Sequence, residues 1–148
     1  MAEETEFTSR TGTLRAKPSQ VFSFATDIRN FSRFAGNDKI SDWNADRDSC
    51  SFEVPIAGSV RITIAEKEPC SKIRFEGQAM NSVEFRLWLQ LKESEAGTTR
   101  FRLVLRAALN PLFKMMASGT INEYLEKLIN EIEKFSDWDN QVTDTQSP

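Results

Sequence analysis

The side chains that could do chemistry are few in this chain. Its 148 residues include no histidine and only two cysteines, Cys50 and Cys70. Without histidine there can be no Ser-His-Asp or Cys-His nucleophile pair and no histidine-based metal site. Two separated cysteines do not by themselves form a zinc site. The sequence therefore indicates no catalytic residue, no metal site and no cofactor, and most routes to hydrolysis at neutral pH are closed.

Asp42 and Asn44 are the remaining polar candidates, on a weakly marked strand whose two faces the sequence does not distinguish. Facing inward, they would anchor a ligand or supply a general base. The interpretation we favour places them on an exposed edge, with Trp43 tucked under nearby short helices. Ser9 and Arg10 share this ambiguity on the first strand.

Composition limits the classes of partner. Charged residues make up 28% of the chain and the formal net charge is -3, which leaves no basic footprint for nucleic acid or for an acidic membrane surface. The apolar runs 103–105 and 107–109 are too short to span a bilayer. The acidic start, residues 1–6, lacks the apolar core of a signal peptide. We expect a cytoplasmic protein that binds no nucleic acid and has no membrane span.

The two cysteines fit that compartment. Cys50 alternates in register with Phe52 and Val54, which predicts a small buried core residue. Cys70 follows Pro69 in a predicted turn. Because reducing compartments disfavour disulfides, we expect both thiols to be free.

The order of elements is the most informative pattern of the chain. Residues 5–16 predict a first strand, and Pro18 suits the first turn of a helix that continues at helical spacing through Ile28. A second short helix is predicted over residues 27–34. From residue 39 the apolar period changes to two, which predicts six strands. They cover residues 40–45, 50–54, 59–64, 73–79, 83–92 and 100–109.

The last two strands form the clearest hairpin. Their outward positions carry an arginine stripe, which could meet an acidic partner or RNA. Nearby glutamates dilute this charge, and a solvated outer face is the interpretation we favour. The stripe consists of Arg86, Arg100, Arg102 and Arg106.

A long amphipathic helix is predicted from Pro111 to Phe135. Its apolar stripe comprises Ile121, Leu125, Leu128, Ile129, Ile132 and Phe135, whereas Leu112, Met115 and Met116 fall on the far side of an ideal helix. Because glycine is a poor mid-helix residue, the offset predicts a bend or break near Gly119. Residues 136–148 are polar and aperiodic, which predicts a disordered tail after a single domain over residues 5–135.

A strand passes into a helix through a proline in Leu14-x-Ala16-Lys17-Pro18-x-x-Val21-Phe22, and Thr26-Asp27 follows. Together with the last hairpin and the C-terminal helix, this layout resembles the helix-grip fold of the START/Bet v 1-like superfamily, also called SRPBCC. The resemblance implies an α+β class with the order β-α-α-β6-α. In that fold a curved antiparallel sheet of about seven strands wraps around a long C-terminal helix, with a cavity between them.

The resemblance also implies that inward-facing side chains line the cavity. The predicted lining residues are Phe52, Val54, Ile62, Ile64, Phe75, Gly77, Ala79, Phe85, Leu87, Leu89, Leu103, Leu105, Met115, Met116 and Leu125. Gly77 and Ala79 favour unfilled volume because they are small. Met80, Met115 and Met116 could form an adaptable apolar gate or could simply fill gaps. The alternative to a cavity is a solid core, which uses the same side chains.

Three functions remain open at this point. The first is non-enzymatic binding or carriage of a small hydrophobic molecule, such as a lipid, an isoprenoid or a polyketide-like compound. The second is a protein-interaction module with a vestigial cavity. The third is an enzyme of the polyketide-cyclase type, which the missing histidine and the apolar inward faces disfavour. Members of the superfamily include examples of all three, so the resemblance alone does not choose between them.

Overall fold

The computed structural model describes residues 3–34, 40–55, 58–79, 83–95, 97–135 and 138. Eight strands, two α-helices and one 3₁₀ helix follow one another within these residues. The strands are β1 (Glu3–Thr8), β2 (Gly12–Leu14), β3 (Ser41–Ala45), β4 (Ser49–Val54), β5 (Gly58–Glu68), β6 (Lys72–Ala79), β7 (Val83–Glu93) and β8 (Thr99–Leu109). The helices are α1 (Pro18–Ala25), the 3₁₀ helix (Ile28–Phe34) and α2 (Pro111–Lys134).

The strands form one antiparallel sheet in the order β1-β8-β7-β6-β5-β4-β3, and β2 also pairs with β8. The helix α2 lies against β1, β2 and β8, α1 lies against β6 and β7, and the 3₁₀ helix lies against β3 and β4. The face of the sheet turned towards these helices is called the inner face below. The predicted α+β class is therefore confirmed, with a curved sheet gripping a long C-terminal helix.

The predicted first strand is in fact two strands, and Ser9 is the reason. Its backbone N–H donates to the carbonyl of Leu103 at 2.9 Å, while its side-chain Oγ accepts from the Leu103 N–H at 2.9 Å. The side chain thus takes the place of a backbone acceptor, and regular pairing stops after Thr8. Pairing with β8 resumes where Gly12 lies opposite Phe101.

Both α-helices begin where the sequence predicts. Pro18 and Pro111 occupy first-turn positions, where proline's missing N–H would have no intrahelical partner. The Asn110 side chain caps α2 by accepting from the Phe113 N–H at 2.8 Å. The backbone N–H of Lys17 donates to the Gln20 side chain at 2.9 Å, which fixes the start of α1.

The predicted break in α2 is wrong, because the helix is continuous through Gly119. Its inner side carries side chains at four-residue intervals, all buried or partly buried: Phe113, Ala117, Ile121, Leu125 and Ile129. The predicted stripe omitted the first two. Burial along this whole stripe outweighs the roughly 1 kcal/mol that a mid-helix glycine costs.

The packed core extends beyond the predicted domain end. Phe24, Ile73 and Ile129 are completely buried. Trp138 is 6% exposed, and its ring lies edge-on to Phe24 with centroids 5.0 Å apart. A boundary at residue 135 therefore leaves out a core residue. The remaining positions of the predicted tail lie outside the described residues.

Candidate functional site

The register of the sheet sorts the inner face into rows that run across the strands. Residues paired directly opposite each other point to the same face. The central row takes one residue from every strand except β2: Ala45, Cys50, Ile62, Gly77, Phe85, Ala107 and Thr5. The row beside it, called the second row, consists of Ile64, Phe75, Leu87, Leu105 and Phe7.

Several members of these two rows keep some accessible area. Ile62, Phe85, Leu87 and Leu105 are only partly buried although they lie mid-sheet on the face that packs against the helices. On either side of the two rows, residues such as Ile73 at 0% and Val60 at 6% exposure are buried. Accessible apolar area therefore remains at the centre of the inner face, where the side chains of a solid core would be the most completely buried.

The small size of Gly77 predicts unfilled volume above it, but an aromatic ring occupies this space. Gly77 lies opposite Phe85, and a methyl group at Gly77 would overlap the Phe85 ring, whose Cε atoms would lie 2.6 and 2.7 Å away. The ring thus covers the glycine. The sequence analysis treated the two positions separately, whereas only the register shows that they face each other. Ala79, the other small residue, is buried.

Most of the predicted lining residues share the inner face. Those on β4 to β8 are Phe52, Val54, Ile62, Ile64, Phe75, Gly77, Ala79, Phe85, Leu87, Leu89, Leu103 and Leu105, and α2 adds the buried Leu125. Phe52 stacks on Trp43 of β3 with ring centroids 5.8 Å apart.

Met115 and Met116 are not brought to this face. They are 80% and 71% exposed and lie on the outer side of α2 near Leu112, which is 67% exposed. Met115 instead borders an open groove of about 320 Å³ together with Leu109, Pro111, Lys114 and Ser118. Met80, the third member of the predicted gate, lies outside the described residues.

Thr5 is the site residue that the sequence analysis missed. Its position opposite Ala107 places its side chain at the β1 end of the central row. Its Oγ1 is buried and has no hydrogen-bond partner among the residues that the structure describes. Phe7 is the only apolar residue on this face of the strand, which is a weak signal in sequence, and the pairing with β8 identifies Thr5 as inward.

Asp42 and Asn44 are exposed, and Trp43 between them is partly buried. The favoured interpretation of an exposed edge is confirmed. The Asp42 carboxylate accepts a hydrogen bond from the protonated form of Glu53 on the neighbouring strand, and this bond together with the negative charge of Asp42 raises the pKa of Glu53. This acid pair therefore lies away from the apolar rows, and neither member faces them.

Cys50 is the only titratable side chain in the two rows. Burial raises its pKa to about 11, so the thiol stays protonated at neutral pH. Both cysteines are free, as predicted, and Cys70 is exposed. Within the described residues, no group of three or more acidic or cysteine side chains could hold a metal ion.

Ser9 and Arg10 do not face the apolar rows either. Arg10 extends to α2, where its Nη2 donates to Asn130 Oδ1 at 2.5 Å and to Glu133 Oε1 at 2.6 Å. Hydrogen bonds from Arg10 and from the Thr13 backbone lower the pKa of Glu133. These contacts tie the junction of β1 and β2 to the helix that closes the inner face.

Glutamates neutralise two of the four arginines of the outer stripe. Arg86 pairs with Glu4 at 2.6 Å and Arg106 pairs with Glu6 at 2.7 Å. Both guanidinium groups also lie over the Trp88 ring, 5.9 and 5.4 Å from its centroid. The neutralisation is consistent with a solvated outer face. No helix in the described part of the chain is both long and apolar enough to cross a membrane.

Comparison with solved structures identifies the architecture. Protein Mll3558 from Rhizobium loti superposes with a TM-score of 0.63 at 16% identity, covering 90% of this chain and 99% of that one. Truncated norcoclaurine synthase from Thalictrum flavum gives 0.67 at 3% identity, with 91% and 97% covered. A START superfamily protein from Mycobacterium smegmatis gives 0.57 at 13% identity, with 86% and 98% covered.

No family model and no curated protein matches the sequence. The likeness is therefore one of architecture across nearly the whole length of each chain. The chain has the START/Bet v 1-like helix-grip fold.

Proposed function

We propose that this protein binds and carries a small hydrophobic molecule, of the size of a lipid, an isoprenoid or a polyketide-like compound. The ligand lies between the central rows of the inner face and α2. The observation that carries the proposal is the partial exposure of four apolar side chains at the centre of the inner face: Ile62, Phe85, Leu87 and Leu105. Covering such apolar area contributes roughly 25 cal/mol per Å² of surface removed from water.

The same rows argue against catalysis as the main role. A general acid or base must reach the substrate, and the two rows offer only the protonated thiol of Cys50. The Asp42–Glu53 pair is exposed on the edge of the sheet. One protein of the same fold is norcoclaurine synthase, so an enzyme of the cyclase type is the alternative to be tested.

Native mass spectrometry of protein purified without detergent tests the proposal directly. We expect a co-purified apolar mass of a few hundred daltons, released when the protein is denatured. A stoichiometric protein partner in its place would favour the interaction-module alternative. Turnover of an apolar polyketide-like substrate, abolished by replacing an acidic residue, would favour the enzyme.

Two neighbouring alanines of β8 give a matched pair of variants. Ala107 lies in the central row, whereas Ala108 is exposed on the outer face. If the inner face has room for a ligand, Ala107→Phe folds and occupies that room. Binding of the apolar dye N-phenyl-1-naphthylamine, followed by fluorescence, then falls at least tenfold, and Ala108→Phe binds as the parent does.

The same pair separates a ligand site from a solid core. Overpacking a filled core costs about 1–3 kcal/mol. A large loss of stability in Ala107→Phe alone, with no dye binding in the parent protein, would show that the core is solid and would overturn the proposal.

A further inference from the structure

The central row contains one polar side-chain atom whose hydrogen-bonding capacity is unused. Thr5 Oγ1 has less than 1 Å² of accessible area, and the described residues offer it no hydrogen-bond partner. The side chains that lead to it along the row are Phe85 and Ala107, which are apolar. Phe7, two residues further along β1, faces the same way and is buried.

An unpaired buried hydroxyl is costly to keep. Leaving such a group unsatisfied costs about 1–3 kcal/mol, and the large majority of buried polar side-chain atoms in proteins are paired. Valine has nearly the same shape as threonine and would remove this cost. The hydroxyl therefore destabilises the free protein. A hydrogen-bonding group supplied by a bound ligand would explain why a threonine occupies this position.

The position of Thr5 suits the end of a ligand site. It lies on β1, which packs against α2, so the row is closed at this end. Three strand spacings of about 4.8 Å separate Gly77 on β6 from Thr5, which gives a floor roughly 14 Å long. Its smallest members are Gly77 and Ala107.

The Phe85 ring is the movable part of this floor. It lies over Gly77 and is partly exposed. A rotation of its side chain would clear space between Gly77 and Ala107 without moving a strand. A ligand could then lie along the row with one end at Thr5.

We propose that Thr5 Oγ1 is the hydrogen-bonding anchor of the site, and that the ligand is an elongated apolar molecule with one uncharged hydroxyl or carbonyl group at its end. The threonine hydroxyl can donate to a carbonyl or accept from a hydroxyl. A charged ligand group is excluded because the two rows offer no counter-charge, and an unpaired buried charge is strongly unfavourable. This assignment rests on the proposed function and specifies its ligand class.

Two probes that differ by one hydroxyl test the anchor: naphthalene and 2-naphthol, which is neutral at pH 7. Their binding to the full chain is measured by fluorescence titration. We expect the parent protein to bind 2-naphthol about fivefold more tightly than naphthalene, the gain of one net hydrogen bond. Thr5→Val should abolish this preference and leave naphthalene binding unchanged, while Thr5→Ser should keep the preference.

The failures of the two proposals can be told apart. If both probes bind and Thr5→Val retains the preference, or if the parent has none, the anchor is wrong and hydrophobic binding stands. If neither probe binds, the proposed function and the anchor both fail. Binding by the parent with loss of preference only in Thr5→Val supports both.

Thermal unfolding without ligand gives an independent measurement. Removing an unsatisfied hydroxyl should stabilise the free protein, so Thr5→Val should raise Tm by roughly 3 °C. A lower Tm would mean that the hydroxyl is already satisfied in the free protein, and would overturn the assignment.

Discussion

Two glycines of the sheet are covered by phenylalanine rings from the strand opposite. Gly77 lies opposite Phe85, and Gly12 lies opposite Phe101. A Cβ at Gly12 would lie 2.5 Å from Phe101 Cε1 and 3.1 Å from Ile129 Cγ2. The two rings differ in one respect, since Phe101 is 2% exposed and Phe85 is partly exposed. The same residue pair therefore closes the core at one place and leaves a partly exposed ring at the other.

Gly77→Ala should destabilise the protein by about 1 kcal/mol. The new methyl group pushes the Phe85 ring away, at an overpacking cost of about 1–3 kcal/mol, and only part of this is offset by the better strand propensity of alanine. The measurement is urea unfolding followed by circular dichroism.

Gly119→Ala is the control for that variant. Apart from the adjacent turns of α2 itself, no described residue lies within 4 Å of the added methyl group, so this change should stabilise the protein by about 0.5–1 kcal/mol through helix propensity. If both variants were stabilised alike, Phe85 would not be packed against Gly77 as described.

Among the elements, α2 depends on β1 and β2 for its placement. Arg10 contacts Glu126 at 3.3 Å and Glu133 at 2.6 Å, and the Thr13 backbone N–H donates to Glu133 at 3.0 Å. These groups are partly exposed, so their individual contributions are screened by solvent. Together they add to the apolar packing that holds the helix against β1, β2 and β8.

The Arg10–Glu133 contact should make stability depend on pH. Because the pKa of Glu133 is lowered in the folded state, its stabilisation is complete above the unfolded pKa of about 4.3 and is lost as pH falls through the folded pKa. Arg10→Gln should therefore lower Tm slightly at pH 7, and the difference from the parent should shrink below pH 4.

Salt and a control variant complete that measurement. At 1 M NaCl the difference should nearly disappear at pH 7, because exposed pairs are screened. Lys127→Gln removes the same charge from an exposed position of α2 that has no ion pair within the described residues, and it should leave Tm unchanged. A difference for Arg10→Gln that is constant from pH 3 to pH 7 would contradict the electrostatic explanation.

The elements were predictable from local pattern, whereas their pairings were not. Alternation identified β4 to β8, and proline marked the starts of α1 and α2. Ser9 interrupts the first strand through a contact with Leu103, far away in sequence. Gly77 suggested a void until the register placed Phe85 over it. The inward face of Thr5 likewise depends on its partner in β8. Local periodicity carries no information on such cross-strand contacts.

At the scale of the whole molecule, the core is one hydrophobic cluster with two parts that differ in burial. One part is closed and rich in aromatic contacts, with Phe24 packed against Phe135 and Trp138 at centroid distances of 5.2 and 5.0 Å. The other is the central part of the inner face, where apolar side chains stay partly exposed. In the function proposed above, the first part serves as the scaffold and the second as the ligand site, a common division in proteins.

This division predicts that the chain cannot be shortened to residue 135 without loss. Trp138 is 6% exposed and its Nε1 donates to the Phe135 carbonyl at 3.1 Å. Ending the chain at residue 135 removes this ring from Phe24 and should cost about 3 kcal/mol, in the range for deleting a large buried aromatic side chain.

A chain that ends at residue 140 keeps the ring and should unfold at the same urea concentration as the full chain. Trp138→Ala in the full chain should reproduce the loss seen at residue 135, because the effect belongs to one side chain. Equal stability of the 135- and 140-residue chains would show that the closed part of the core does not need Trp138.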